Sequence, residues 1–155
     1  VSEIKIPEQN IFSVLISPEG KVFLDIDNSE DRIEILEKLA ANYNVSLTDK
    51  EKRDFSIMTS FGIPMQNFKQ FMGLSNEEQL KLLPQYGVPT DSTDNQFKSW
   101  VSAAREVKGK EMVIAIKADQ DTPYTYIKNV MGSLQDLKEN RYNLITSLRK
   151  VEDEE

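Results

Sequence analysis

The residues best suited to chemistry in this sequence are aspartates at the ends of apolar runs. Asp119 and Asp121 follow the run Met112–Lys117 and precede Thr122-Pro123, while Asp25, Asp27 and Asp31 close an earlier run. Carboxylates so placed could supply hard oxygen ligands for Mg²⁺ or Ca²⁺, provided that the two strand ends meet. The spacing lacks the glycine and the distal glutamate of a calcium loop. The competing reading is structural: Asp121 or Thr122 caps a helix, and Pro123 stands in its first turn, where a missing N–H costs nothing. Local chemistry favours the helix start and leaves both readings standing.

Other chemistry is narrowed by what the chain lacks. It has no histidine and no cysteine among its 155 residues. Histidine bases, Ser-His pairs, thiolate nucleophiles and zinc-thiolate sites are therefore excluded. No phosphate-cradling glycine loop, nucleophile elbow or zinc-protease motif is present. A formal charge of −7 argues against nucleic acid as a partner, because binding there requires clustered cations. With 39% hydrophobic and 29% charged residues, the sequence reads as one soluble globular domain. It shows no membrane-length apolar run. It starts at Val1 rather than Met, which leaves an anchor upstream open.

The elements that would position these residues follow from patterning. Ile11–Ile16 and Val22–Ile26 are alternating apolar runs joined by Ser17-Pro18-Glu19-Gly20, a type I turn, and so predict a hairpin. Asn28 or Ser29 then caps a helix carrying Ile33, Leu36, Leu39, Ala40 and Tyr43. From 45 to 109 the texture changes to short helical pieces broken at Gly62-Ile63-Pro64, Pro84 and Gly87-Val88-Pro89. Thr48-x-x-Glu51, Ser75-x-x-Glu78 and Thr93-x-x-Gln96 each fit a capping box. Phe97, Trp100 and Val101 read as a cluster pinning one of these helices to the domain, and Lys108-Gly109-Lys110 as a solvated turn. Met112–Lys117 predicts a central strand. Ile127, Val130, Met131 and Leu134 form the stripe of a helix lying on a sheet, and Tyr142–Leu148 predicts a second strand. Strand, helix and strand in this order imply a parallel, right-handed βαβ unit. At least one of Tyr124 and Tyr126 is expected to pack at the strand end. The alternation through Ile4 and Ile6 fits either a linker or an edge strand that pairs with another chain.

The segments NIFSVLISPEGKVFLDID and VIAIKADQDTPYTYIKNVMGSLQDLKENRYNLITSL resemble the periplasmic domain of the ExbD/TolR family of biopolymer-transport proteins. The resemblance lies in the opening strand pair, the apolar strand ending at Ala118-Asp119, Tyr124, the Val130-Met131 helix centre and the last strand ending near Thr146. It covers about half of the chain, at its two ends. The stretch between them is similar to an insertion carried by ExbD-like proteins of Bacteroidota-type bacteria. Gly132 stands where many relatives have an acidic residue, so no role of that side chain carries over.

The resemblance implies an α+β fold: a two-layer mixed β-sheet with two main helices on one face plus a helical insertion. Its parts would be an arm at 1–9, a single domain at 10–148 with its insertion at 45–109, and an acidic tail at 149–155. It further implies a periplasmic domain of an inner-membrane protein, whose proton-carrying aspartate lies in a membrane helix outside this sequence. Such a protein works with an ExbB-like channel subunit and couples the proton motive force to a TonB-like protein. On this reading the domain is no enzyme, carries no cofactor and forms a homodimer. The expected interface is Ile4, Ile6, Tyr142, Leu144 and Thr146, with Asp119 and Tyr124 marking the family's strand-to-helix corner. The alternatives are a TolR-like tether to peptidoglycan and a metal-dependent enzyme built on Asp25, Asp27, Asp119 and Asp121.

Overall fold

A computed structural model describes residues 10–146. The hairpin forms as β1 (Ile11–Ile16) and β2 (Val22–Ile26), closed by the Gly20 N–H donating to the Ser17 carbonyl at 2.9 Å. Gly20 adopts φ 89°, and the ring of Tyr126 lies where a Cβ would stand, 2.7 Å away, so this turn requires glycine twice over. α1 (Ser29–Asn42) follows, capped by the Asn28 side chain, which accepts from the Asp31 N–H. Its C-terminus closes through Asn44 at φ 58°, with the Val45 N–H reaching back to the Ala40 carbonyl.

The middle of the chain folds as α2 (Asp49–Ser56), α3 (Phe68–Met72), α4 (Asn76–Leu82) and α5 (Gln96–Lys108). β3 (Val113–Ala118), α6 (Tyr124–Asp136) and β4 (Tyr142–Thr146) complete the described chain. The sheet has four strands in the order β2-β1-β3-β4. β1 and β2 are antiparallel, whereas β1–β3 and β3–β4 are parallel. The expected mixed sheet with a central β3 and a βαβ unit at 112–148 is therefore present, as far as residue 146.

Register fixes which side chains share a face. Phe12, Ile26, Ile114 and Tyr142 form one row across the sheet, and Val14, Leu24, Ile116 and Leu144 the next. These rows meet Ile35, Leu36 and Leu39 of α1, Phe97, Trp100, Val101 and Ala104 of α5, and Ile127, Val130 and Leu134 of α6 in one core. The fold is α+β, with its helical layer on one face. Beside α1 and α6, that layer holds α5, the last helix of the 45–109 segment. α5 belongs to the core because Phe97, Val101, Ala104 and Lys108 repeat at helical spacing and all point inward.

Three local expectations need correction. Thr93 does not cap α5. Asn95 does, accepting from the Lys98 N–H at 3.0 Å, while the buried Gln96 side chain accepts from the Met65 N–H at 2.9 Å. Neither Asp121 nor Thr122 caps α6. Pro123 itself occupies the cap position, with no side-chain cap bond, and the Thr122 N–H closes a turn on the Asp119 carbonyl. Lys108 is not in a solvated turn but buried.

Candidate functional site

The aspartates sort to opposite ends of the sheet. At one end the Asp27 carboxylate accepts from the Ile11 N–H at 3.0 Å, fixing it beside the start of β1. Asp119 follows Ala118, which is paired with Ile16 at the other end of β1. The full length of β1 therefore separates Asp27 from Asp119, roughly 20 Å at about 3.3 Å per residue. Asp25, opposite Ser13, is separated from Asp119 by about 10 Å of strand and by the width of β1 between β2 and β3. Asp25 and Asp27 thus do not meet Asp119 and Asp121, and a metal shared by the four has no geometric basis. Among the described residues no three carboxylates converge as a metal shell would require.

Asp27 and Asp31 do converge, but on an ammonium. Lys108 Nζ lies 2.7 Å from Asp27 Oδ1 and 2.8 Å from Asp31 Oδ2, and donates to the Asp27 carbonyl at 3.2 Å. Asp25 pairs with Arg32 at 2.9 Å. The Arg32 guanidinium also donates to the carbonyls of Ile26, Phe55 and Met58, so it closes the C-terminus of α2 against the end of β2. Burial lowers the Arg32 pKa from its ordinary value, and the charge of Asp25 opposes that shift. This end of the sheet is held together by two cations that bind backbone and carboxylate alike.

At the other end, Asp119 borders a shallow apolar groove of about 390 Å³ formed by Leu15, Phe23, Ala118 and Ile145. Tyr124, in the first turn of α6, is 59% exposed, whereas Tyr126 packs over Gly20. The corner Asp119–Tyr124 thus holds a turn and presents one open tyrosine.

The two edges of the sheet are treated differently. Outside β2, the Leu24 and Phe61 backbones bond reciprocally at 2.7 and 2.9 Å, and the Val88 N–H donates to the Val22 carbonyl at 2.8 Å. The 45–109 segment therefore occupies that edge. Outside β4, no backbone group among the described residues pairs with Tyr142–Thr146. Of the expected interface residues, Tyr142 and Leu144 turn toward the core and are half-buried. Asn143 and Ile145 occupy the opposite face, in the rows of Ala115 and Lys117. Ile4 and Ile6 lie outside the described residues. No described helix is long and apolar enough to cross a membrane.

No family model, curated protein or solved structure matches the chain.

Proposed function

We propose that this chain is the periplasmic domain of an ExbD-like subunit of an inner-membrane motor, driven by the proton motive force, that energises TonB-dependent outer-membrane transport. The domain acts by binding partners. The observation supporting this reading is the asymmetry of the sheet: the β2 edge is occupied, whereas β4 presents an edge with no partner among the described residues. An edge of this kind is a template for strand addition, in which backbone hydrogen bonds give affinity and alternate side chains give specificity. Asn143 and Ile145 are the side chains of β4 that lie away from the core and can read an added strand. The occupant is a second copy of the chain or an extended segment of a TonB-like protein, while the ExbB-like subunit is met through the membrane helix that the resemblance implies.

Titrating the isotopically labelled domain with the periplasmic segment of a TonB-like protein tests the reading. Amide shifts are expected along Tyr142–Ile145. Shifts confined to the helical layer, or no binding at millimolar concentration, would overturn it.

A further inference from the structure

Beside the N-terminal end of β4 lies a groove of about 790 Å³ between the end of α5 and the α6–β4 turn. In a chain of net charge −7, it is lined by Arg105, Lys110, Lys138 and Arg141. Arg105 is committed: its guanidinium binds Glu139 and donates to the Gly109 and Met112 carbonyls at 2.9 and 3.1 Å. Lys110, Lys138 and Arg141 are exposed, and none has an ion pair among the described residues. Against these three cations stands one uncommitted acid, Glu111. Such a groove fits an acidic peptide segment.

The chain itself contains one. Glu152, Asp153, Glu154 and Glu155 are consecutive carboxylates, lying outside the described residues. We propose that two copies pair antiparallel through β4 and that each groove receives the acidic 152–155 segment of the other copy. This rests on the reading of β4 as a pairing edge. A two-fold centred near Leu144 sets Tyr142 opposite Thr146 of the second copy. The chain beyond that Thr146 then emerges beside Arg141. The interval from 146 to 152 reaches at most about 20 Å, and Lys110 and Lys138 line the same groove as Arg141 and Tyr142. Parallel pairing would leave them a strand length away. Docking on the segment's own chain would require it to reverse and run back along β4, covering the edge that pairing needs.

Sedimentation of the chain and two charge-reversed variants tests the proposal. One variant carries K110E and R141E. The other carries E152K, D153K, E154K and E155K. Each reversal alone should weaken dimerisation by about tenfold at low ionic strength, as expected of several exposed ion pairs acting together. An equimolar mixture should recover the wild-type affinity, because each groove then meets a segment of opposite charge, and recovery also shows that both variants are folded. Wild-type dimerisation by the separate variants would overturn the docking while leaving β4 pairing intact. Tighter dimers on reversal would place the segment on its own chain and also overturn it. A wild-type chain that stays monomeric would remove self-pairing as well, with the heterologous strand still judged by the titration above.

Discussion

Lys108 joins parts of the molecule that lie far apart in sequence. Its side chain is fully buried at the end of α5, and its three ammonium protons are directed at the Asp27 carbonyl and the carboxylates of Asp27 and Asp31. Burying an ammonium is costly, and only a complete set of acceptors offsets the lost hydration. Replacing it by methionine retains most of the volume but leaves two carboxylates facing each other without a cation. Breaking a fully buried pair costs about 3–5 kcal/mol. Here the carboxylates remain 32% and 27% exposed, so water relieves part of the loss. K108M should therefore cost about 2–3 kcal/mol by urea denaturation. Adding D27N and D31N should return much of it, since the remaining repulsion disappears. Equal losses in the single and triple variants would mean that Lys108 acts through packing alone. The signal for this residue was present in the sequence: Phe97, Val101, Ala104 and Lys108 continue one helical stripe. The following Gly109-Lys110 suggested a solvated turn because a charged residue on a buried stripe is read as exposed unless its partners are known. Those partners are 81 and 77 residues away.

Elements were legible where the deciding interaction is local. The capping boxes at Thr48 and Ser75 form as the spacing predicts, each closed within three residues. The third pattern, Thr93-x-x-Gln96, fails because both of its ends are engaged elsewhere, Gln96 by a group 31 residues away and Thr93 by a neighbour two residues before it. Gln96 turns inward to the Met65 N–H, and Asp91 takes the Thr93 hydroxyl at 2.6 Å. The same limit hid the closure of the β2 edge. Gly62-Ile63-Pro64 reads correctly as a break, but nothing local says that it lies along β2. A Cβ at Gly62 would stand 2.6 Å from Phe23 Cδ1 and 2.9 Å from the Val22 carbonyl oxygen. The ring can shift, whereas the strand carbonyl cannot. Gly62→Ala should thus push Phe61 and its neighbours off β2, costing about 1–3 kcal/mol as overpacking does. Hydrogen exchange gives the specific check. The Leu24 and Phe61 amides, which bond reciprocally, should lose protection before the amides between β1 and β3. Uniform loss across the sheet would show that the edge cover and the core open together.

For the whole molecule, the question is whether the 45–109 segment is an addition to a self-sufficient domain or part of its core. Patterning favours addition, since the two flanking blocks carry the sheet and two amphipathic helices. Packing argues otherwise. Trp100 is stacked on Phe55 at 6.0 Å and tilted against Phe61 at 5.0 Å, all in the core that includes Val14, Leu24 and Ile116. Removing the segment would expose that face of the sheet, open the β2 edge and leave Arg32 without the Phe55 and Met58 carbonyls. It would also leave Asp27 and Asp31 without Lys108. The chain would keep its strand and helix propensities while losing the side chains that fix their packing. A variant with 45–109 replaced by a short Gly/Ser linker should therefore retain far-ultraviolet dichroism, lose near-ultraviolet dichroism and bind ANS, the signature of a compact state without specific packing. A cooperative unfolding transition in that variant would mean that the two flanking blocks form a domain by themselves. In that case the segment would be free to diverge for a partner of its own. If packing decides, the segment is retained because the sheet cannot bury its apolar face or cover its β2 edge without it.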